Sequence, residues 1–313
     1  MKSTLIEDVS IFIITYNRPQ QLRETLSRLL GSPFAHCSIT VLDNCSTDEA
    51  CAAVQQEFLE PTLTFHRNIT NIGASANALQ AFLMSRTPYT WVLCDDDLFD
   101  FSDVGDVEKI LQDGAATLVM VGGHREDVRA GAGVTASPKQ LMKLPVAVNY
   151  YRDLSFLPST IYRTDFARAH IAAGYDYCRF NYPHMALGLA AVSTEAPVYV
   201  SRHRLVTASI GTQSYTRSAQ LDWWYDLSLT VTDVEERRRV LTSQWRGPID
   251  PSGLYGVLNT AIRLGRPGLA LKIAALFRLR TLRSIGSMLR WRSARLLGTS
   301  RRDPQSCPPR KAS

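Results

Sequence analysis

Five short apolar runs punctuate the first 122 residues: VSIFIIT (Val9–Thr15), SITVL (Ser38–Leu42), LTFH (Leu63–His66), WVLC (Trp91–Cys94) and LVMVG (Leu118–Gly122). They are continuous rather than alternating and rich in β-branched residues, as expected of strands buried on both faces of a parallel sheet. Helical patterns separate them. In NRPQQLRETLSRLL the residues Leu22, Leu26, Leu29 and Leu30 fall on one face, with Pro19 in a first-turn position. Ser46 and Glu49 have capping-box spacing ahead of ACAAVQQEFL. Repeated β-α-β units predict a doubly wound, mostly parallel, Rossmann-like α/β sheet, whose ligands bind outside the carboxyl ends of the strands. After Gly123 the pattern loosens. AGAGVTASPKQLMKLP reads as a mobile loop, FLPSTIYRTDF and APVYVS as further strands, and the chain turns helical from about Leu221.

Polar clusters stand where the strands end. Thr15-Tyr16-Asn17 follows the first run, Asp43-Asn44 the second, Asn68 to Gly73 the third, and Asp95-Asp96-Asp97 the fourth. Four loops should therefore converge on one crevice. Neither a G-x-G-x-x-G after the first strand nor a G-x-x-x-x-G-K-[ST] occurs, which argues against a dinucleotide fold or a P-loop.

Three adjacent carboxylates repel one another, so a positive charge is expected opposite them. Mg²⁺ or Mn²⁺ suits such a cluster, because both prefer oxygen ligands and bridge carboxylates to phosphates. In an extended chain Asp95 and Asp97 point the same way and Asp96 points away, so Asp95 and Asp97 are expected to clasp the cation. A solvated acidic turn is the competing reading.

Residues 9 to 99 resemble the family 2 glycosyltransferases, inverting nucleotide-sugar transferases of the GT-A fold. The resemblance rests on VSIFIITYNRPQQLRETLSRLL, ITVLDNCSTD, NITNIGASANALQAF and WVLCDDDLF, in that order. It implies a sugar transferred from a nucleoside-diphosphate donor to an acceptor hydroxyl, with Mn²⁺ or Mg²⁺ as cofactor. Thr15, Tyr16 and Asn17 would line the nucleotide pocket, and Asp43 would bond the base or ribose. Asn71 and Gly73 would let the chain pass close to the nucleotide. Asp95, with Asp96 beside it, would face the ribose or sugar, and Asp97 would coordinate the metal. Family members carry an E-D pair after a G-G-F-D-like turn, the second acid being the base. Here Gly174-Tyr175-Asp176 looks like the turn and Pro183-His184 stands in place of E-D, so His184, or else Asp176, is expected to be the base. His203 is a further candidate metal ligand. Trp223-Trp224 could stack on a sugar, but helix packing is the stronger expectation. A scaffold that kept the fold and lost turnover is an alternative. A sugar-phosphate nucleotidyltransferase is less favoured, because TYNRPQQ lacks a Gly-rich, basic phosphate loop.

Composition changes the picture chiefly at the far end. The 313-residue chain carries a net +6, distributed as −6 before Arg263 and +12 from there onward. Lys272, Arg278, Arg280, Arg283, Arg290, Arg292 and Arg295 share a helical pattern with apolar residues, none of whose runs approaches the ~20 residues of a spanning helix. A helix on an anionic membrane face is expected, with a glycan or lipid-linked glycan acceptor. A soluble helical subdomain with a basic face fits equally well, and no nucleic-acid module accompanies the charge. Six cysteines without a C-x-x-C pair, behind an N-terminus of MKSTLIEDVS, predict reduced thiols in a cytoplasmic protein; the family resemblance and the basic tail together imply a role in surface-polysaccharide or lipopolysaccharide assembly. The expected layout is a donor half over 1–122, an acceptor half over 123–215, a basic helical region over 216–300 and a disordered tail over 301–313.

Overall fold

The computed structural model describes residues 8–47, 49–123, 133–143, 150–209, 216–245 and 253–277. Its first part alternates strands and helices: β1 (Val9–Thr15), α1 (Pro19–Leu30), β2 (Ser38–Asp43), α2 (Glu49–Glu57), β3 (Leu63–Arg67), α3 (Ala74–Met84) and β4 (Tyr89–Cys94). The four strands lie in the order β3-β2-β1-β4, all parallel, with Ile11 opposite both Ile39 and Trp91. A parallel sheet needs cover on its faces, and α1 supplies some of it by burying Leu22, Leu26 and Leu29. Phe34 joins this core with its ring tilted against Trp91, the centroids 5.2 Å apart. Truncating a fully buried leucine such as Leu26 to Ala is worth about 2–5 kcal/mol in a core of this kind.

The chain continues through β5 (Leu98–Phe99), α4 (Gly105–Asp113), β6 (Leu118–Met120), β7 (Gly122–Gly123), β8 (Val134–Ala136), α5 (Pro138–Leu141), α6 (Tyr150–Leu154), β9 (Thr160–Arg163), α7 (Thr164–Ala169), α8 (Ile171–Asp176), α9 (Met185–Ser193), β10 (Val198–Val200) and β11 (Val206–Thr207). The main sheet runs β3-β2-β1-β4-β9-β6-β10-β8, with β9 antiparallel to both neighbours and β8 antiparallel to β10. This is the mostly parallel α/β sheet the sequence predicts.

Two local expectations change. LVMVG is two strands rather than one: Val121 N–H donates to Ser159 O, and the chain then leaves for a second sheet in which β7 pairs β11 and β11 pairs β5. Glycine is required there, because a Cβ on Gly122 would lie 2.5 Å from Val206 Cγ1 and 2.7 Å from the Ser159 Cα. The expected mobile loop contains β8 and α5, where the Ser137 and Gln140 side chains form a capping box.

The chain divides into two compact units, ending at Leu227 and starting at Ser228. Helix α10 (Arg217–Leu229) spans that boundary, so most of what was expected to open a helical region at 216 belongs to the first unit. The second unit holds α11 (Val234–Thr242), α12 (Leu254–Arg263) and α13 (Pro267–Leu276). No helix among the described residues is long and apolar enough to cross a membrane. Lys272 sits on α13, whereas Arg278 and the basic residues after it lie outside the described residues.

Candidate active site

The positive charge awaiting the aspartates comes partly from the protein. Arg18 Nη1 donates to Asp96 Oδ2 at 2.6 Å and to Asp95 Oδ1 at 3.2 Å. Thr15, the last residue of β1, donates its hydroxyl to Asp95 Oδ2 at 2.6 Å, and Thr25 of α1 donates to the Asp95 carbonyl at 3.0 Å. Asp95 is only 4% exposed. Burial pushes its carboxyl up to about 6, with the Thr15 hydroxyl and Arg18 pulling it back down. β1 and β4 are hydrogen-bonded neighbours, which is why the loop after one meets the loop after the other.

The strand alternation from which a pairing of Asp95 with Asp97 was expected stops at Cys94, and Asp95-Asp96 occupy a turn. Instead one ligand atom each from Cys94, Asp96 and Asp97 lies within 4.8 Å of the other two. The second sheet holds this corner. Asp97 leads into β5 and Ser209 follows β11, so that Ser209 N–H donates to Asp97 Oδ1 at 3.3 Å. Asp97 Oδ2 is buried without a hydrogen-bond partner. Burial, reinforced by Asp96, pushes the Asp97 carboxyl up to about 7. An orphaned carboxylate oxygen beside a second carboxylate is the donor set a hard dication needs, so Asp96 and Asp97 fit a metal and Asp95 serves as their neighbour. His203 is not brought to this group. Its Nε2 pairs with Asp103 Oδ2 at 2.8 Å, both side chains about half exposed.

At the ends of β2 and β3 the loops lock one another. Asp43 Oδ1 accepts from Ser46 N–H at 2.9 Å and from the Ser46 hydroxyl at 2.5 Å, and Arg67 Nε stands 3.6 Å from Asp43 Oδ2. Ser46 is thus committed to Asp43 instead of capping α2. Asn17 adopts φ 55°, one of the few non-glycine residues to do so, and its Oδ1 accepts from Thr47 N–H at 2.7 Å. It does not cap α1. Asn71 accepts from Asn44 Nδ2 at 2.8 Å and from Gly73 N–H at 2.9 Å, while buried Asn68 and Asn77 bond each other at 2.9 Å. Gly73 has φ 83° with open space where a Cβ would stand, so backbone conformation alone requires glycine. Of these residues Asp43 and Arg67 line a recess of ≈ 120 Å³, together with Thr15, Gln55 and His66 among others, and Tyr16 is 41% exposed beyond the end of β1. Arg18, Arg67, Gln55 and His66 were not singled out from the sequence; a charge opposite a carboxylate at strand ends is visible only once the strand order is known.

The acceptor half departs further from expectation. Gly174-Tyr175-Asp176 is not a turn but the end of α8, and Asp176 is exposed there. His184 precedes α9 and is 3% exposed, with neither ring nitrogen in a regular hydrogen bond. Burial pulls it down to about 4, and the Ser155 and Leu154 backbone lifts it only partly. At neutral pH it is an uncharged imidazole enclosed in the core. Trp224 is fully buried against Tyr182 at 5.4 Å, the packing role expected of it.

Comparison with known proteins agrees with this geometry. The structure is similar to Staphylococcus aureus TarS 1-349 in complex with UDP-GlcNAc (15% identity, TM-score 0.59, 93% of this chain and 92% of that one). It is also similar to mannosyltransferase PcManGT from Pyrobaculum calidifontis in complex with GDP-Man and Mn²⁺ (14% identity, TM-score 0.55, 95% and 84%). These likenesses show the GT-A fold. No curated protein sequence matches the chain. The model of the family described as "Glycosyl transferase family 2" matches residues 10–168, just over half of the 313. With that match and the strand-end geometry together, the chain belongs to glycosyl transferase family 2.

Proposed function

We propose that this protein transfers a sugar from a nucleoside-diphosphate donor to an acceptor hydroxyl, with the donor lying across the carboxyl ends of β1 to β4. The observation that carries the reading is the position of Thr15 at the end of β1, where it lines the recess together with Asp43 and Arg67 and donates its hydroxyl to Asp95, the first of the three aspartates. The nucleoside sits in the recess beside Asp43 and Arg67, and Tyr16 covers it. Proteins of this fold hold UDP-GlcNAc in one case and GDP-Man in another, so both pyrimidine and purine donors belong in the test.

Asp96 and Asp97 would hold Mn²⁺ or Mg²⁺, which when bound would supply positive charge against that developing on the departing diphosphate. The chain's own residues do the positioning. Thr15 and Arg18 fix Asp95 beside the ribose or sugar, and Ser209 fixes Asp97 from the other side of the crevice. Arg18 is 36% exposed and keeps unused N–H donors for phosphate oxygens. Of the two residues considered as base, an enclosed imidazole at about 4 is a poor proton acceptor at neutral pH, whereas Asp176 presents its carboxylate to solvent. We assign the base role to Asp176, the acceptor to a glycan or lipid-linked glycan of surface-polysaccharide assembly, and a peripheral membrane contact to the basic tail.

The deciding experiment incubates the protein with UDP- and GDP-sugars, with Mn²⁺ or with EDTA, and measures nucleoside-diphosphate release. Cation-dependent release supports the proposal. Binding of a nucleoside diphosphate without release supports the scaffold alternative, and failure to bind any of them refutes both. Asp176→Asn should lose release while still binding the diphosphate; unchanged turnover removes it from the base role.

A further inference from the structure

We propose that Cys94 is a third donor to the cation held by Asp96 and Asp97, so that this site takes a borderline dication such as Co²⁺ or Zn²⁺ in preference to the hard Mg²⁺ and Mn²⁺. The inference rests on the metal site proposed above. Its basis is geometric. Cys94 Sγ and one oxygen each of Asp96 and Asp97 already lie within 4.8 Å of one another, and Asp97 Oδ2 is buried with no partner. Metal bonds of about 2.0–2.3 Å to oxygen and sulfur place such donors about 3.3–3.8 Å apart in a tetrahedral site. Closing onto a cation thus needs a movement of at most about 1–1.5 Å, within reach of side-chain rotation. Cys94 is the last residue of β4, whose strand pairing fixes its backbone.

The charge balance points the same way. Arg18 already occupies one oxygen of Asp96, which lowers the net negative charge offered to a cation. Mg²⁺ binds by charge alone, demands near-ideal octahedral oxygen geometry and sheds water reluctantly. A thiolate adds covalent character that favours softer dications. The remaining described cysteines do not share this corner: Cys37 and Cys51 are buried, and Cys45 and Cys178 belong to no such group among the described residues.

The test titrates the full chain with Co²⁺, alone and with UDP or GDP, and follows the thiolate-to-cobalt charge-transfer band in the near ultraviolet. Mn²⁺ and Mg²⁺ affinities are measured in parallel, Mn²⁺ from the electron paramagnetic resonance of the free ion. Wild type should show the band. Cys94→Ser and Cys94→Ala should lose it, with Co²⁺ affinity falling about 10- to 100-fold and Mn²⁺ and Mg²⁺ affinities nearly unchanged; Cys45→Ser should behave as wild type. Co²⁺ binding without the band, or a band that survives in both Cys94 variants, overturns the role of Cys94 and leaves the two-carboxylate metal site standing. Absence of any dication binding to wild type overturns that underlying site as well.

Discussion

Replacing Asp97 by Asn should stabilise the cation-free protein, and the gain should grow with pH. Asp97 has its Oδ2 buried without a partner, and its carboxyl is pushed from the ordinary 3.8 up to about 7. Between those values the folded state holds a proton that the unfolded chain has released, so folding stability falls as pH rises through that window. About three pKa units at 1.36 kcal/mol each make the penalty about 4 kcal/mol above pH 7, an upper figure for a buried group among other carboxylates. Asn keeps an oxygen for the Ser209 N–H and carries no charge to desolvate. Thermal unfolding in EDTA should show little difference between Asp97→Asn and wild type near pH 4. By pH 8 the variant should lie above wild type by roughly 8 °C, at about 2 °C per kcal/mol for a unit of this size. Millimolar Mn²⁺ should raise wild type and leave the variant where it is. A difference that does not change with pH, or a variant less stable than wild type in EDTA, would refute the reasoning.

Thr15→Val should cost about 1–3 kcal/mol in denaturant unfolding and displace Asp95, since a 2.6 Å bond to a buried carboxylate is lost; a neutral result would mean that Arg18 alone suffices. His184 should make the protein acid-labile. Its folded value of about 4 lies below the ordinary 6.5, so the unfolded chain binds the extra proton and stability is lost as pH falls from about 6.5 to 4; His184→Gln should flatten that part of the profile, and an unaltered profile would exclude it. Gly122→Ala should reduce soluble yield and lower the melting temperature by more than ordinary surface changes do, because its Cβ meets Val206 and the Ser159 backbone. Wild-type stability of that variant would show that the second sheet can shift.

Much of the donor half could be read from the chain because its signals are local. β1 falls on Val9–Thr15 as the apolar run predicts, and β2, β3 and β4 each extend the expected run by one or two residues. Parallel strands buried on both faces leave little ambiguity, and the polar clusters had to fall at their ends. The aspartates were found for the same reason, but their partners were not. Period-2 reasoning put Asp95 and Asp97 together, whereas the chain turns at Asp95, so Asp96 and Asp97 share a corner with Cys94. Gly174 to Asp176 looked like a turn and is helix, because the packing of Gly174 against Leu79, 3.0 Å from where its Cβ would stand, is invisible in the residue order.

By itself, then, the residue order determined the β-α-β repeat, the burial of α1 through Leu22, Leu26 and Leu29, and the family, since each depends on spacing within a few turns or strands. Tertiary structure alone decided which charge faces which. Arg18 reaches Asp96 across 78 positions, Ser209 reaches Asp97 across 112, and His184 is enclosed rather than presented. Contacts at such separations follow from strand order, and strand order is set by the mutual burial of surfaces that no local pattern encodes.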